Sequence, residues 1–225
     1  MSNSGKIRQI GIYGLLDYHR EFGKKHTVSA SALTYTNNYR QSGVLHDQKK
    51  LHFGSRVYYA YDSKYLINFS SSLISSPKLP SKKRTAFSPS LGLGWILSEE
   101  TFVNTVSTLN FLKIKASAGI LNTDVNISDY YIYETSFTES GSISWNDGFR
   151  SNSSTVINNI GNPKLDFEKR IDLNIGLEAI LFNNSLWLEL SYFKENLTDQ
   201  ITRNTLTTPE YLGGFVPSTN YAEDK

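Results

Sequence analysis

The residues best suited to chemistry gather in one polar stretch, "SDYYIYETSFTESGSISWNDGFRS", Ser128 to Ser151. Tyr130, Tyr131, Tyr133, Trp145 and Phe149 offer flat rings that can stack on sugar rings or peptide side chains, and Asn146, Asp147 and Arg150 offer hydrogen-bonding groups beside them. A few polar groups converging among aromatic faces is a common way to hold and orient a polar ligand. The chemistry is recognition, with no bond made or broken. The expected substrate contacts are Tyr131, Tyr133, Trp145, Asn146, Asp147 and Phe149. The plainer reading is that the same rings pack the loop onto itself or against a partner.

Other reactive constellations are thin. His19, His26, His46 and His52 show no metal-ligand spacing, so no metal is expected. "SLGLGW" holds a lone G-x-G with no helix opening after it, a poor nucleotide signal. No Ser/His/Asp set has local motif support for a nucleophile, and Glu99-Glu100 reads as a solvated turn. Neither a catalytic activity nor a cofactor is expected. A net charge of +2 gives no argument for nucleic acid. Two short basic runs, Lys49-Lys50 and Lys82-Lys83-Arg84, read as solvated loops or as contacts to anionic lipid or phosphate. With no cysteine, stability must come from elsewhere than disulfides, for example from a closed sheet.

The elements that must position the loop are strands. In "FSPSLGLGWILSEETF" the odd positions from Phe87 to Leu97 are bulky and apolar, while Ser88, Ser90, Gly92 and Gly94 between them are tiny. The same period of two runs through "QIGIYGLLDYH", "TVSASALTYT", "LHFGSRVYYAYD", "YLINFSSSLI", "LKIKASAGI", "RIDLNIGLEAIL" and "LWLELSYFKEN", giving eight amphipathic strands. A short helix is expected after the Phe87 strand, with Ser98 as its N-cap and Glu100 in its first turn. No run of 18 apolar residues exists, so no transmembrane helix is expected; strands of about 10 alternating residues can still cross a bilayer.

The links alternate in length. "REFGKK", "DSK", the Asn183-Asn184 link and the intermediate "SEETFVNTVSTLN" fall at one end of an up-and-down sheet; "NNYRQSGVLHDQ", "SSPKLPSKKRT" and the Asn122–Glu168 insertion fall at the other. Short turns on one side and long loops on the other are the habit of outer-membrane barrels. Lys113, Lys115, Arg170, Asp172, Glu178 and Glu189 in mid-strand suit a wet lumen. Tyr18, Tyr59, Tyr61, Tyr65 and Trp95 suit interfacial girdles. The competing architecture is a soluble sandwich, which hides its apolar faces between two layers.

Several ordered motifs resemble the distal barrel of the SusC/RagA family of TonB-dependent transporters of Bacteroidota. Trp95, Ser98, Glu100 and Phe102 match its G-W-x-x-S-x-E-x-F element; Asn162, Pro163, Leu165 and Glu168 match N-P-x-L-x-W-E; Asn174, Gly176, Leu177 and Glu178 match N-x-G-L-[DE]. "LDYHREFGKKH" and "VYYAYDSKYLINFS" resemble its upstream hairpins. Phe167 stands where Trp is common, and "SSSLISSPKLPSKKRT" replaces a segment of the R-x-D-G-S-S-x-F type.

The resemblance implies an all-β fold: antiparallel up-and-down strands, about eight of the roughly 22 in a large transmembrane barrel. Residues 1–225 would be a partial barrel, with the plug, the TonB-contacting segment and further strands absent. Its unpaired edges would favour aggregation in isolation. The implied function is import of a glycan or peptide across the outer membrane. The implied partners are a SusD-like surface lipoprotein, TonB through the absent N-terminal region, and outer-membrane lipid. The alternative is a soluble β-rich carbohydrate-binding or adhesion module.

Overall fold

Alternating bulky and small side chains favour a pleated sheet with two unlike faces, and a sheet is what forms. The computed structural model describes residues 6–42, 48–103, 108–127, 130–145, 150–203 and 216–224. The strands are β1 (Ile7–Phe22), β2 (His26–Gln41), β3 (Gln48–Tyr61), β4 (Tyr65–Ser75), β5 (Thr85–Ile96), β6 (Leu109–Thr123), β7 (Ser136–Trp145), β8 (Arg150–Asn159), β9 (Glu168–Leu181), β10 (Leu186–Thr202) and β11 (Thr219–Asp224). Nine of them form one sheet in the order β1-β2-β3-β4-β5-β6-β9-β10-β11, and β7 and β8 pair separately. All pairings are antiparallel.

The eight expected strands are present, and three more accompany them. β7, β8 and β11 escape a reading by alternation because "SFTESGSISW", "RSNSSTVINN" and "TNYAED" carry too few apolar residues to form a sustained period of two, and the β7–β8 register is interrupted by shifts. The expected capped helix is corrected to a 3-10 turn, Leu97–Glu99, with Ile96 at the cap position and no side-chain cap bond. Ser98 lies inside that turn, its Oγ buried without a partner among the described residues. Leu97 leaves the apolar row of β5 and is buried, because the strand ends at Ile96.

Short links and long links segregate as expected. Residues 23–25, 62–64 and 182–185 close tight turns at one end of the wall. Asp62 and Ser63 take φ of 52° and 57°, and Gly23 and Lys24 take 55° and 63°, the left-handed pairs that match the twist of two-residue hairpins.

The apolar residues stay outside. Phe87, Leu91, Leu93 and Trp95 are 55%, 45%, 50% and 38% exposed, along with Ile67, Phe69, Ile114, Leu173 and Ile175 on the same face. A sandwich would press these side chains between layers; here no second layer of described residues covers them. Accessible surface totals 16081 Å², against about 10,000 Å² for a compact water-soluble chain of this mass. Among the described residues no helix is long and apolar enough to cross a membrane, which leaves crossing by strands untouched.

On the opposite face small residues make room for charges. Lys115 of β6 stands between Gly94 of β5 and Gly176 of β9 in the register. A Cβ on Gly176 would lie 2.6 Å from Lys115 Cε, so only glycine lets the lysine lie flat. Its ammonium then reaches Glu178 at 2.5 Å and Glu189 at 2.8 Å, while Lys113 sits 3.5 Å from the other oxygen of Glu178. Ser70 and Ser90 share a hydroxyl contact of 2.8 Å farther along the same face.

At the short-turn end the apolar face finishes in rings. His26, Tyr61, Tyr65 and Trp95 are successive cross-strand partners on β2 to β5, with centroids 5.0, 6.3 and 6.2 Å apart. Tyr59 donates or accepts at His26 Nδ1, 2.8 Å away. Tyr18 stands opposite Ala30, higher on the wall and outside this row. Glu100, from the link after β5, clamps the row: its carboxylate accepts from Tyr65 Oη at 2.8 Å and Trp95 Nε1 at 3.2 Å, with Lys64 Nζ at 3.6 Å. This explains the spacing of Trp95 and Glu100: the strand ends, one turn reverses the chain, and the carboxylate returns to the indole.

The bonds from Tyr65 and then Trp95, with Lys64 nearby, hold the Glu100 carboxyl below the usual carboxylate range. A lowered folded-state value means that this stabilisation is present above the unfolded value and is lost as pH falls through the folded one. Glu100→Gln is therefore expected to flatten the acid limb of stability against pH. Thermal unfolding of the full-length protein in detergent from pH 7 down to pH 3 measures it; equal acid limbs for both proteins would refute the clamp.

Candidate functional site

The described parts of the β4–β5 link and of the segments before β7 and β9 fold together at one end of the polar face. Leu79 of the β4–β5 link, Ile127 of the β6–β7 link, and Leu165 and Phe167 before β9 are 0%, 1%, 0% and 1% exposed. Ile74, Ala86, Ile132, Tyr133 and Ile201 pack around them. Ile74 and Ala86 are cross-strand partners sharing the face of Ser70, Ser90 and Gly94, which fixes the side of the wall on which this cluster lies.

Polar bonds stitch the cluster together. Lys78 Nζ donates to the Ile127 carbonyl at 2.5 Å, and Ser76 Oγ to Asp124 at 2.6 Å. Lys83 pairs with Asp166 at 2.6 Å, and Arg84 donates to the Leu79 carbonyl and to Tyr133 Oη. The basic run Lys82-Lys83-Arg84 is thus partly internal stitching, with its second and third residues bound to protein groups. Asp166, mainly through its hydrogen bond, raises the Lys83 ammonium above its ordinary range.

The element N-P-x-L-x-F-E acquires a physical meaning here. Asn162 turns the chain, with its Oδ1 accepting from Lys164 N and its amide donating to the Ser218 carbonyl. Leu165 and Phe167 enter the cluster. Glu168, 3% exposed, accepts from Ile201 N at 2.9 Å and from Asn126 Nδ2 at 2.6 Å. A buried carboxylate needs such donors, and each oxygen has one. Phe167 supplies the largest buried ring of the cluster.

Beside the cluster lies an open concavity lined by Tyr130, Tyr131, Ile132, Glu134, Thr135, Ser136, Asn158, Asn159 and Arg203, about 360 Å³ in volume. Tyr131 adopts φ of 62°, and its ring lies 5.7 Å from that of Tyr133. Burial, ahead of the nearby Asp124 charge, pushes the Tyr130 hydroxyl up. Asn159 Nδ2 donates to the carbonyls of Ile132 and Glu134, holding the turn that presents the tyrosines. Asn158, Asn159 and Arg203 are lining residues that composition did not single out, since nothing in "STVINNIGN" or "QITRN" marks them as converging.

Of the expected contacts, Tyr131 lines this concavity, whereas Tyr133 is built into the cluster through Arg84. Trp145 closes β7, at the far tip of the β7–β8 hairpin. Asn146, Asp147 and Phe149 lie outside the described residues. His19 and His26 are engaged with Ser29 and Tyr59 hydroxyls. Among the described residues no three His, Cys, Asp or Glu side chains converge as metal ligands.

A single-layer wall with one apolar and one polar face, aromatic at the short-turn end and with described links folded over the polar face at the other, is the construction of a transmembrane β-barrel wall. The chain belongs to the TonB-dependent receptor-like β-barrel family, whose description matches residues 9–225. It is 28% identical over 172 residues to TonB-dependent receptor P3 of Formosa agariphila, covering 76% of this chain and 16% of that protein. To TonB-dependent receptor SusC of Bacteroides thetaiotaomicron it is 29% identical over 138 residues, 60% of this chain and 13% of that protein. The fold is that of a chain in the structure of the RagAB peptide transporter, with a TM-score of 0.79 and 21% identity, covering 97% of this chain and 26% of that one. This chain spans less than a fifth of the length of these two curated relatives.

Gly161 opens the N-P-x-L-x-F-E element against a neighbouring backbone: a Cβ there would come within 2.5 Å of Thr135 N and Tyr133 O. Gly161→Ala must therefore push the β7–β8 hairpin off the cluster. Phe167→Ala is expected to cost roughly 3–5 kcal/mol, the range for emptying a buried aromatic site. Urea unfolding of the full-length protein measures the second, and protease cleavage within residues 130–160 the first. Unchanged cleavage of the Gly161 variant would show that the backbones do not meet this closely.

Proposed function

We propose that this chain forms part of the wall and outer rim of a SusC/RagA-type TonB-dependent transporter in the outer membrane, and that its cargo is a glycan or a peptide. Residues 1–225 are on this reading a section of a longer barrel; the plug, the remaining strands and the segment that engages TonB belong to other parts of that protein. The short-turn end faces the periplasm and the end with the long links faces outward, where a SusD-like surface lipoprotein acts as lid. The chain does no bond-making of its own.

The observation that carries this reading is the separation of faces. Exposed aliphatics and a ring-lined margin suit hydrocarbon and its interface, while paired lysines and glutamates suit water. Links tied to the polar face suit a rim that presents fixed groups to a cargo entering from outside. Import would draw on TonB for energy, and the wall would supply containment and contacts. A soluble adhesion module would not need the apolar face. Its members stay in aqueous solution without detergent, which a phase-partition assay of the full-length protein separates at once.

Within the rim, the concavity beside Tyr131 is the proposed cargo contact. Ring stacking on Tyr131, with amide donors and acceptors from Asn158 and the guanidinium of Arg203, suits sugar hydroxyls or peptide backbone equally. Removing a ring of this kind from a binding surface costs on the order of 1–2 kcal/mol. Tyr131→Ala in the full-length protein is expected to weaken cargo binding about 5- to 30-fold without moving the melting temperature. Calorimetric titration with a panel of oligosaccharides and oligopeptides checks this and sorts the two cargo classes. Unaltered affinity for every bound member of the panel would remove Tyr131 from the site.

A further inference from the structure

At the outer end of the polar face, β1–β3 carry rings and amides where β4–β6 carry glycine and serine. Tyr13, Tyr35 and His52 stand in one cross-strand row, with the Tyr35 and His52 centroids 6.3 Å apart. The Tyr35 ring reaches toward Gly11, where a Cβ would lie 3.9 Å from its Cε2 and 4.0 Å from its hydroxyl. Next outward, Asn37, Tyr39, Gln41 and Lys50 line a concavity of about 310 Å³. Asn37 forms its floor, with Oδ1 shut off from solvent. Tyr39 Oη donates to Gln41 Oε1 at 3.2 Å, which turns the Gln41 amide nitrogen toward other acceptors. The basic run Lys49-Lys50 lies within β3 and is split by its pleat: Lys50 stands opposite Asn37 on the polar face, and Lys49 opposite Asn38 on the other.

Charge sets this concavity apart. Lys113 and Lys115 of the same face are neutralised by Glu178 and Glu189, and Lys83 in the link cluster by Asp166. The Lys50 ammonium has no such partner among the described residues. The first carboxylate met along the polar face of β1–β3 is Asp17, six residues along β1 from Gly11, the partner of Asn37. That is about 20 Å of strand, beyond the range at which two charges in water and salt hold each other. The dent thus pairs an uncompensated cation with a ring and two amides. It is complementary to an anion that the wall does not supply.

We propose that this concavity binds an acidic sugar unit of an oligosaccharide cargo, a site that rests on the transporter reading above and is separate from the concavity beside Tyr131. Lys50 holds the carboxylate or sulfate of the sugar, the Tyr39 ring stacks on its carbon face, and the Gln41 amide donates to its hydroxyls. An aromatic plate with a few convergent polar groups suits a ring-shaped polyol. Asn37 to Gln41 spans about 13 Å of strand, room for a short run of linked sugars, and Tyr35 continues the ring surface inward. A bare inorganic anion would use the lysine and leave the ring idle. A peptide would bring a carboxylate but no saturated sugar ring to lay on Tyr39. The acidic saccharide uses all three groups, and the acidic peptide is the alternative that the test must separate.

The test uses the full-length protein in detergent with Lys50→Gln, Tyr39→Leu and, as the control, Lys49→Gln, one residue away on the other face. Calorimetric titration follows a set of uronate oligosaccharides, their carboxyl-reduced forms, sulfated oligosaccharides of the same backbones, and oligoglutamate. The parent protein is expected to bind an acidic saccharide. Lys50→Gln is expected to bind it at least about 10-fold more weakly, the scale of one charge-assisted hydrogen bond. The carboxyl-reduced form is expected to bind parent and Lys50→Gln alike. Tyr39→Leu is expected to weaken acidic and reduced forms together, about 5- to 30-fold, and Lys49→Gln to bind like the parent. Whichever of uronate and sulfate loses affinity in Lys50→Gln identifies the acidic group. Equal binding of every acidic saccharide by parent and Lys50→Gln overturns the site, as does a parent that binds none. Oligoglutamate bound as tightly as the saccharides, with the same Lys50→Gln loss, makes the occupant a peptide and overturns it. A Lys49→Gln loss matching that of Lys50→Gln reduces the effect to net charge and overturns it too. Heat-dependent electrophoretic mobility and recovery in the outer-membrane fraction report on the barrel itself. Loss of those in the parent protein sinks the transporter reading, whereas their retention with unchanged saccharide binding in Lys50→Gln sinks only this site.

Discussion

A wall one strand thick has no interior, and this constraint governs the molecule. Side chains on a single sheet cannot bury themselves; each face must be covered by something else or left to the surrounding medium. Backbone hydrogen bonds run from strand to strand through the nine-stranded sheet, satisfying groups that hydrocarbon could never solvate. Among the described residues, the buried apolar cluster forms where the β4–β5 link and the segments before β7 and β9 fold back over the polar face, around Leu79, Ile127, Leu165 and Phe167. The ladder makes the wall, and this small cluster gives its outer rim a defined shape.

The two kinds of order differ in how they are written. The wall was legible because its physics is local and periodic. Phe87, Leu91, Leu93 and Trp95 against Ser88, Ser90, Gly92 and Gly94 announce two faces before any partner strand is known. Link lengths then fix which ends meet. The rim was less legible, because its contacts join residues far apart in sequence. Leu79 meets Leu165 through no period, and the buried Glu168 is recognisable only when Ile201 and Asn126 are seen to supply its donors. The β7–β8 hairpin has sparse apolar residues and an interrupted register, so alternation could not reveal it. Tyr131 and Tyr133 illustrate the same limit at a candidate site. Composition ranks them alike, yet one ring lines an open concavity and the other is fixed by Arg84.

Motif and structure meet at two places where the sequence spacing is a mechanical requirement. Trp95 and Glu100 are separated by just enough chain to turn back, so the carboxylate meets the indole and the Tyr65 hydroxyl. Asn162 to Glu168 holds a turn, two core side chains and a capping carboxylate in one short run. In both, polar groups at the margins of the wall are spent on fixing geometry. The margins are where a ladder is most easily frayed, and where links from different hairpins must agree on a position.

Lys115, lying flat between Gly94 and Gly176 with its ammonium held by Glu178 and Glu189, has a consequence for anything travelling along that surface. Its charge is neutralised within the plane of the sheet and does not project as a hook. Neighbouring glycines and serines keep the relief low around it. A passing body would therefore slide over a smooth, wettable track and find few footholds at which to stall.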